Sequence, residues 1–228
     1  MEPPYVTTAD TIIGRLAAAG VPYLANSNIS NVLEPGDVAA IEAEAEQHLL
    51  ALLRCLVIDV DHDHNTRDTA ARVARMFVRE VFAGRYQPQP RLTSFPNVNQ
   101  VDQCYAVGPI TVRSACSHHL VPIHGQAWVG VIPGERLIGL SKFHRLVEWV
   151  MARPQIQEEA ANQLADAIEQ AVQPRALAVI VRASHMCCEW RGVRDNGSLM
   201  TTSVMRGLFK QDSDARREFL TLIRGMQY

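Results

Sequence analysis

The sequence predicts an α+β fold on a mainly antiparallel sheet, and three features predict it. Helical spacing of apolar residues dominates up to about residue 86. Alternating, Val- and Ile-rich stretches take over from about residue 103. Two further helical segments then lie between one pair of such stretches and the next, which is the order of an α+β domain rather than of repeated βαβ units.

Residues 1–37 read as an N-terminal arm, with Thr8 or Asp10 as cap of a short helix that runs to Ala19 and stops at Gly20 and Pro22. Pro35-Gly36-Asp37 breaks the chain, and Asp37 is placed to cap the next segment. From Val38 to Val57, Ile41, Ala45, Leu49, Leu52, Leu53 and Leu56 recur at helical spacing with Glu42, Glu44 and Glu46 opposite, an amphipathic helix. Asp59 to Asn65 is a polar turn, and a second helix from about Asp68 carries Val73, Met76, Phe77 and Val81. Gln87 to Val98 is irregular and contains proline.

Gln103–Ser114 and Gly125–Ile132 alternate as strands around a loop at Cys116–His124. Pro133-Gly134 forms a turn. Ser141 is placed to cap a helix to about Ala152, ended by Arg153-Pro154, and another helix runs from about Ile156 to Val172. Ala176–Ser184 and Ser198–Met205 are strands, and Asp214–Gly225 is a last helix. The domain so defined is 38–228, with helices over 38–86 and the sheet core over about 100–228.

A chain of 228 residues with 47% hydrophobic and 20% charged residues can bury a substantial core. Its net charge of −2 argues against a protein that works by neutralising nucleic-acid phosphates, though not against a local anion pocket. Apolar runs such as Ala176–Val181 fall far short of the roughly 20 residues that span a bilayer. Met1-Glu2-Pro3-Pro4 shows neither a basic nor an apolar leader region, so a cytoplasmic location is expected, with no membrane partner. Five cysteines, an odd number, do not suggest a disulfide scaffold; beside histidine they suggest metal binding or catalysis.

That chemistry concentrates in Cys116-Ser117-His118-His119. Cysteine and histidine three apart in a strand-end loop can face one ion, and thiolate with imidazole is a zinc-type donor pair. Far along the chain, His185-Met186-Cys187-Cys188 ends another strand. Cys116, His119 and one of Cys187 or Cys188 would give three ligands and leave a fourth position open, as in catalytic zinc sites. His118 and His185 remain as proton carriers. Without a second local pair such as CxxC, the plain alternative is core cysteines beside surface histidines.

Several separated blocks carry a family likeness. Cys116 to Pro122, Ile138-Gly139-Leu140-Ser141-Lys142, Arg153 to Glu158, His185-Met186-Cys187 and Arg191-Gly192-Val193-Arg194 resemble, in order and spacing, the signature segments of GTP cyclohydrolase I. Thr201-Thr202-Ser203, Gly207-Leu208-Phe209 and Arg217-Glu218-Phe219-Leu220 extend the likeness, which covers roughly residues 38 to 226. It implies a tunnelling fold (T-fold), with two helices packed on one face of the antiparallel sheet. It also implies a homodecamer with active sites between subunits, and Zn2+ held by Cys116, His119 and Cys187.

The implied reaction is hydrolytic opening of the guanine imidazole ring of GTP, release of formate and rearrangement to 7,8-dihydroneopterin triphosphate. His118 and His185 would be the acid/base groups, and Ser141 a participant in the rearrangement. Gln157 and Glu158 would bind the purine, where a carboxylate matches guanine N1–H and N2–H₂. Ser141, Lys142, Arg145 and Arg191 would hold the triphosphate, and Arg72 would reach a phosphate, in some assemblies from a neighbouring subunit. Read without the likeness, Glu158 is an acid at a helix start, and Lys142 and Arg145 are a solvated helix face.

Three positions depart from the family pattern. Ser117 stands where the family usually has Glu, which removes a charge beside the metal loop. Ala70 replaces a usual Pro at a helix start, and Cys188 adjoins the expected ligand. Adjacent strand residues face opposite ways, so Cys187 and Cys188 would not share one ion. Asp61-His62-Asp63-His64 looks like a second metal cluster but reads as a solvated turn. Ser117 also keeps a second reading open: a paralogue that binds purine or pterin, or stops at the ring-opened stage, as a regulatory or assembly subunit.

Overall fold

A computed structural model describes residues 7–226. The chain divides into two compact units, Met1–Pro88 and Gln89–Tyr228.

In the first unit, α1 (Thr8–Ala18) starts at a capping box. The Thr7 hydroxyl accepts from the Asp10 amide at 3.0 Å, while the Asp10 carboxylate accepts from the Thr7 amide at 3.1 Å. The cap is therefore Thr7, with Asp10 as its reciprocal partner, rather than Thr8 or Asp10 as expected. Ile12 and Leu16, four apart, pack with Ile29. α2 (Asp37–Cys55) begins at Gly36 with no side-chain cap; the Asp37 carboxylate instead accepts from the Glu34 amide at 2.7 Å and pairs with Arg15.

α2 packs along α3 (Thr69–Arg75), yet none of its residues is buried, and Leu52 and Leu56 are more than half exposed. The expected single helix from Asp68 is broken into α3, a π-helical stretch Met76–Val81 and α4 (Ala83–Tyr86). A wider turn of this kind is a local change of winding that apolar spacing does not encode.

In the second unit, β1 (Ser94–Pro96) lies in the stretch expected to be irregular. It pairs with β4 (Arg136–Ile138), about forty residues further along the chain. The main sheet contains β2 (Tyr105–Cys116), β3 (Pro122–Ile132), β5 (Pro154–Gln155), β6 (Ala176–His185) and β7 (Met200–Gly207), in the order β5-β2-β3-β6-β7. β2, β3, β6 and β7 are antiparallel neighbours, and β5 adds parallel to β2. The strands sit where alternation predicts them, extended by two residues at the C-terminal ends of β2 and β7 and by three at the start of β3.

α5 (Leu140–Met151) and α6 (Gln157–Val172) cover one face. Their Phe143, Leu146, Val147, Val150, Leu164 and Ile168 pack on Val112, Val129, Val179 and Val181 in the main core. Gly139, not Ser141, is the N-cap of α5, and no side chain caps it, so Ser141 lies within the first turn. The other face is also partly covered. After α7 (Met186–Glu189) and β7, α8 (Leu208–Gln211) and α9 (Ser213–Arg224) set Phe209, Phe219 and Ile223 against Trp128, Ile132 and Ile180.

α9 starts at an Asp212 cap whose carboxylate accepts from the Asp214 amide at 2.8 Å. It comes close because Gly130 has no side chain: a Cβ there would fall 2.4 Å from the Phe219 ring. Complete burial of Phe219 contributes about 1.5–3 kcal/mol.

Candidate metal centre

Topology explains how residues about seventy apart in the chain meet. β2 and β6 both run antiparallel to β3, so both end where β3 begins, with Ala115 opposite Pro122 and His185 opposite Ile123. β5 runs beside the end of β2, with Cys116 opposite Gln155, and delivers Gln157 and Glu158 to the start of α6 at the same end of the sheet.

The Ser117–Val121 loop closes on Cys116. The Cys116 amide donates to the Val121 carbonyl, and its carbonyl accepts from the Leu120 amide, both at 2.8 Å. Ser117 is tied to β5 by its amide, which donates to the Gln155 carbonyl at 3.0 Å. Leu120 turns the chain with φ +54°, the left-handed region that a branched side chain seldom adopts.

On the other side, β6 ends in the short helix α7, not in continuing strand. Cys187 and Cys188 are therefore helical neighbours, and the expectation that strand alternation separates them does not hold. What separates them is burial, since Cys187 is half-buried and Cys188 exposed. The Ser184 hydroxyl donates to the Glu189 carboxylate, binding the strand end to α7.

One ligand atom each from Cys116, His119 and Cys187 lies within 4.8 Å of the others, the spacing at which a single ion could be held. Cys116 is buried and His119 exposed. The Arg191 guanidinium donates to His119 Nε2 at 2.8 Å. Because a guanidinium only donates, that nitrogen accepts with its single lone pair, so an ion bound there would take the place of the guanidinium. Burial first, then the neighbouring Cys116 and Cys188, push the Cys187 thiol up to about 11. Two thiols and an unprotonated imidazole make a zinc-type donor set, and the residues fit such an ion.

Beside this triad, His185 is half-buried, and its Nε2 lies 2.8 Å from Gln157 Oε1. Burial lowers its pKa, opposed by Glu158 and Glu189. Gln157 is only 3% exposed, and its amide nitrogen donates to the carbonyls of Val181 at 3.0 Å and Met200 at 3.1 Å. Glu158 is exposed in the first turn of α6. The His118 ring stands edge-on to that of His119, with centroids 6.3 Å apart, and is exposed.

The expected phosphate group is open. Ser141 and Arg145 are exposed on α5, and Lys142 Nζ approaches the Arg91 carbonyl at 3.4 Å. Arg72, in the first unit, pairs with Asp68 at 3.2 Å. The His62-Asp63-His64 turn is exposed, with Asp59 accepting from the Asp61 and His62 amides. It is not among the metal-capable groups of the described residues.

The profile of a family described as GTP cyclohydrolase I matches residues 45–224. The chain belongs to the GTP cyclohydrolase I family. Its relatives include the GTP cyclohydrolase 1 of Mycobacteroides abscessus, 44% identical over 80% of this chain and 89% of that protein. The enzyme of the same name from Edwardsiella ictaluri is 40% identical over 80% and 83%. That of Yersinia enterocolitica is 36% identical over 82% and 86%. Family membership and the assembled triad agree on an enzyme, and no helix among the described residues is long and apolar enough to cross a membrane.

Glu189 escaped the sequence reading. Nothing in its spacing marks it; only the turn of α7 brings it back to Ser184 and within electrostatic reach of His185.

Proposed function

We propose that this chain hydrolyses GTP to formate and 7,8-dihydroneopterin triphosphate with Zn2+ held by Cys116, His119 and Cys187. The observation that carries the proposal is the convergence of those three ligand atoms beside His185, at the end of the sheet where α6 begins. When bound, zinc supplies Lewis-acid activation of water near neutral pH.

The remaining chemistry belongs to the chain's own groups. His118, exposed next to a ligand, delivers a proton to guanine N7, which makes C8 electrophilic. His185 handles the proton that moves as the ring opens. Glu158 accepts from guanine N1–H and N2–H₂, a pattern adenine does not offer. Ser141 and Lys142 in the first turn of α5, with Arg145 and Arg191, hold the triphosphate, and Arg72 reaches a phosphate in a neighbouring subunit. Ser141 also serves the rearrangement through its hydroxyl.

The same reading makes residues 1–37 an arm outside a catalytic domain over 38–228. It makes the sheet with its two helices a tunnelling-fold unit, and the working form a cytoplasmic homodecamer. The exposed apolar residues of α2 and the openness of the phosphate group support assembly, because a single chain leaves both uncovered.

Purified protein incubated with GTP, with and without a chelator, tests the proposal by formate release and by pterin fluorescence after oxidation. Both products, abolished by the chelator, are expected. Formate without pterin would identify a shortened reaction. Neither, in zinc-loaded assembled protein, would replace the enzyme with a binding subunit, the reading that Ser117 favours.

A further inference from the structure

We infer that Gln157 is a positioning residue that fixes the tautomer of His185, rather than a contact to the purine. The argument is a count of donors and acceptors. The Gln157 amide nitrogen sits 3.0 Å from the Val181 carbonyl and 3.1 Å from the Met200 carbonyl, and neither of those oxygens can donate. Turning the amide over would set its oxygen against two carbonyl oxygens, so the orientation is fixed by the network. Both amide protons are thereby committed.

The Thr202 hydroxyl oxygen, 3.2 Å from the same nitrogen, accepts as well and shares one of those protons. The amide oxygen is left as a pure acceptor, and it lies 2.8 Å from His185 Nε2. A neutral imidazole that meets a pure acceptor must place its proton on that nitrogen. His185 Nε2 is therefore the N–H, and Nδ1 is the ring's basic atom.

The supports are rigid. Val181 lies in β6, paired on both sides by β3 and β7, and Met200 begins β7. Gln157 is buried in the first turn of α6. One glutamine thus reads the spacing of two neighbouring strands and passes it to an imidazole. A base held in one tautomer keeps its lone pair at one place, which is what proton transfer in a fixed geometry needs. The inference rests on the reading that His185 moves a proton in guanine ring opening.

Two readouts test it. In wild-type protein with zinc bound and 15N-labelled histidine, the nitrogen shifts of the His185 ring distinguish N–H from lone pair at each position. The resonance absent from His185→Asn supplies the assignment. The expected neutral form carries its proton on Nε2; a proton on Nδ1 overturns the inference. This spectrum requires no turnover, so it stands or falls independently of the proposed reaction.

In Gln157→Met, of similar length but without the amide, bound zinc should be unchanged and both tautomers should appear. With GTP, kcat should fall about ten- to a hundredfold at constant KM. A raised KM with intact kcat would return Gln157 to the purine. Should Gln157→Met fail to fold, the wild-type spectrum alone decides.

Discussion

Cys116, Gln157 and His185 stand on two strand ends and a helix start whose backbones are locked into one sheet, whereas His118, Glu158, Arg145 and Arg191 stand exposed on a loop and on helix surfaces. The first region is complete in a single chain: its polar atoms already have partners and its ligand atoms already converge. The second has charge and donors but little to hold them. The contrast teaches where the fold alone does the positioning and where, under the proposed function, substrate or a neighbouring subunit would finish it. It also sorts the expected consequences of mutation: the locked region should govern metal and kcat, Glu158, Arg145 and Arg191 should govern KM, and His118, exposed beside a ligand, should act on kcat.

The largest effect should follow removal of a ligand. Cys116→Ala or Cys187→Ala should lose bound zinc and all measurable turnover, because an open three-ligand site cannot spare one. Metal analysis beside a formate assay checks both. Next, His118→Ser should retain zinc while kcat drops by about 10²- to 10⁴-fold. Normal turnover in that variant would remove His118 from the proton chemistry.

Glu158→Gln sharpens the contrast from the exposed side. Losing hydrogen bonds to a charged group costs about 1.5–3 kcal/mol, so KM for GTP should rise about ten- to a hundredfold. A kcat defect at unchanged KM would instead place Glu158 with the locked region. Gly130→Val probes the platform itself. Displacing the Phe219 ring should cost about 1–3 kcal/mol of stability in denaturant melts.

A last comparison, outside the site, sets a half-buried thiol against an exposed one. Burial, with Glu218 adding to it, pushes Cys104 up to about 11 from an ordinary 9.0. Because only the thiolate reacts, raising the pKa lowers the reactive fraction at pH 8 by about a hundredfold, and alkylation of Cys104 should lag far behind that of exposed Cys55. Equal rates would deny the burial.

Much of this is legible in the sequence. Alternating Val and Ile locate β2, β3 and β6, and helical spacing locates α5, α6 and α9, because burial on one face leaves a period in the sequence; α2 shows the same period although none of its residues is buried within one chain. Cys116 and His119 could be paired by spacing alone. What the sequence hid was non-local. β1, β4 and β5 are too short to show a period, and the π-helical turn at Met76–Val81 does not alter which residues are apolar.

The covering of the second sheet face depends on Gly130 meeting Phe219, residues with no shared pattern. Family likeness assigns Gln157 to the purine, while in the structure its amide nitrogen donates to two strands that arrive later in the chain. Family likeness and spacing select Cys187, and strand alternation is expected to keep Cys188 off the same ion; α7 replaces that alternation, and burial distinguishes the two instead.

The most direct test of the central claim is the zinc content of three proteins prepared alike: wild type, Cys187→Ala and Cys188→Ala. The triad of Cys116, His119 and Cys187 predicts about one zinc per chain in wild type and in Cys188→Ala, and none in Cys187→Ala. Zinc retained in Cys187→Ala and lost in Cys188→Ala would contradict the account at its centre.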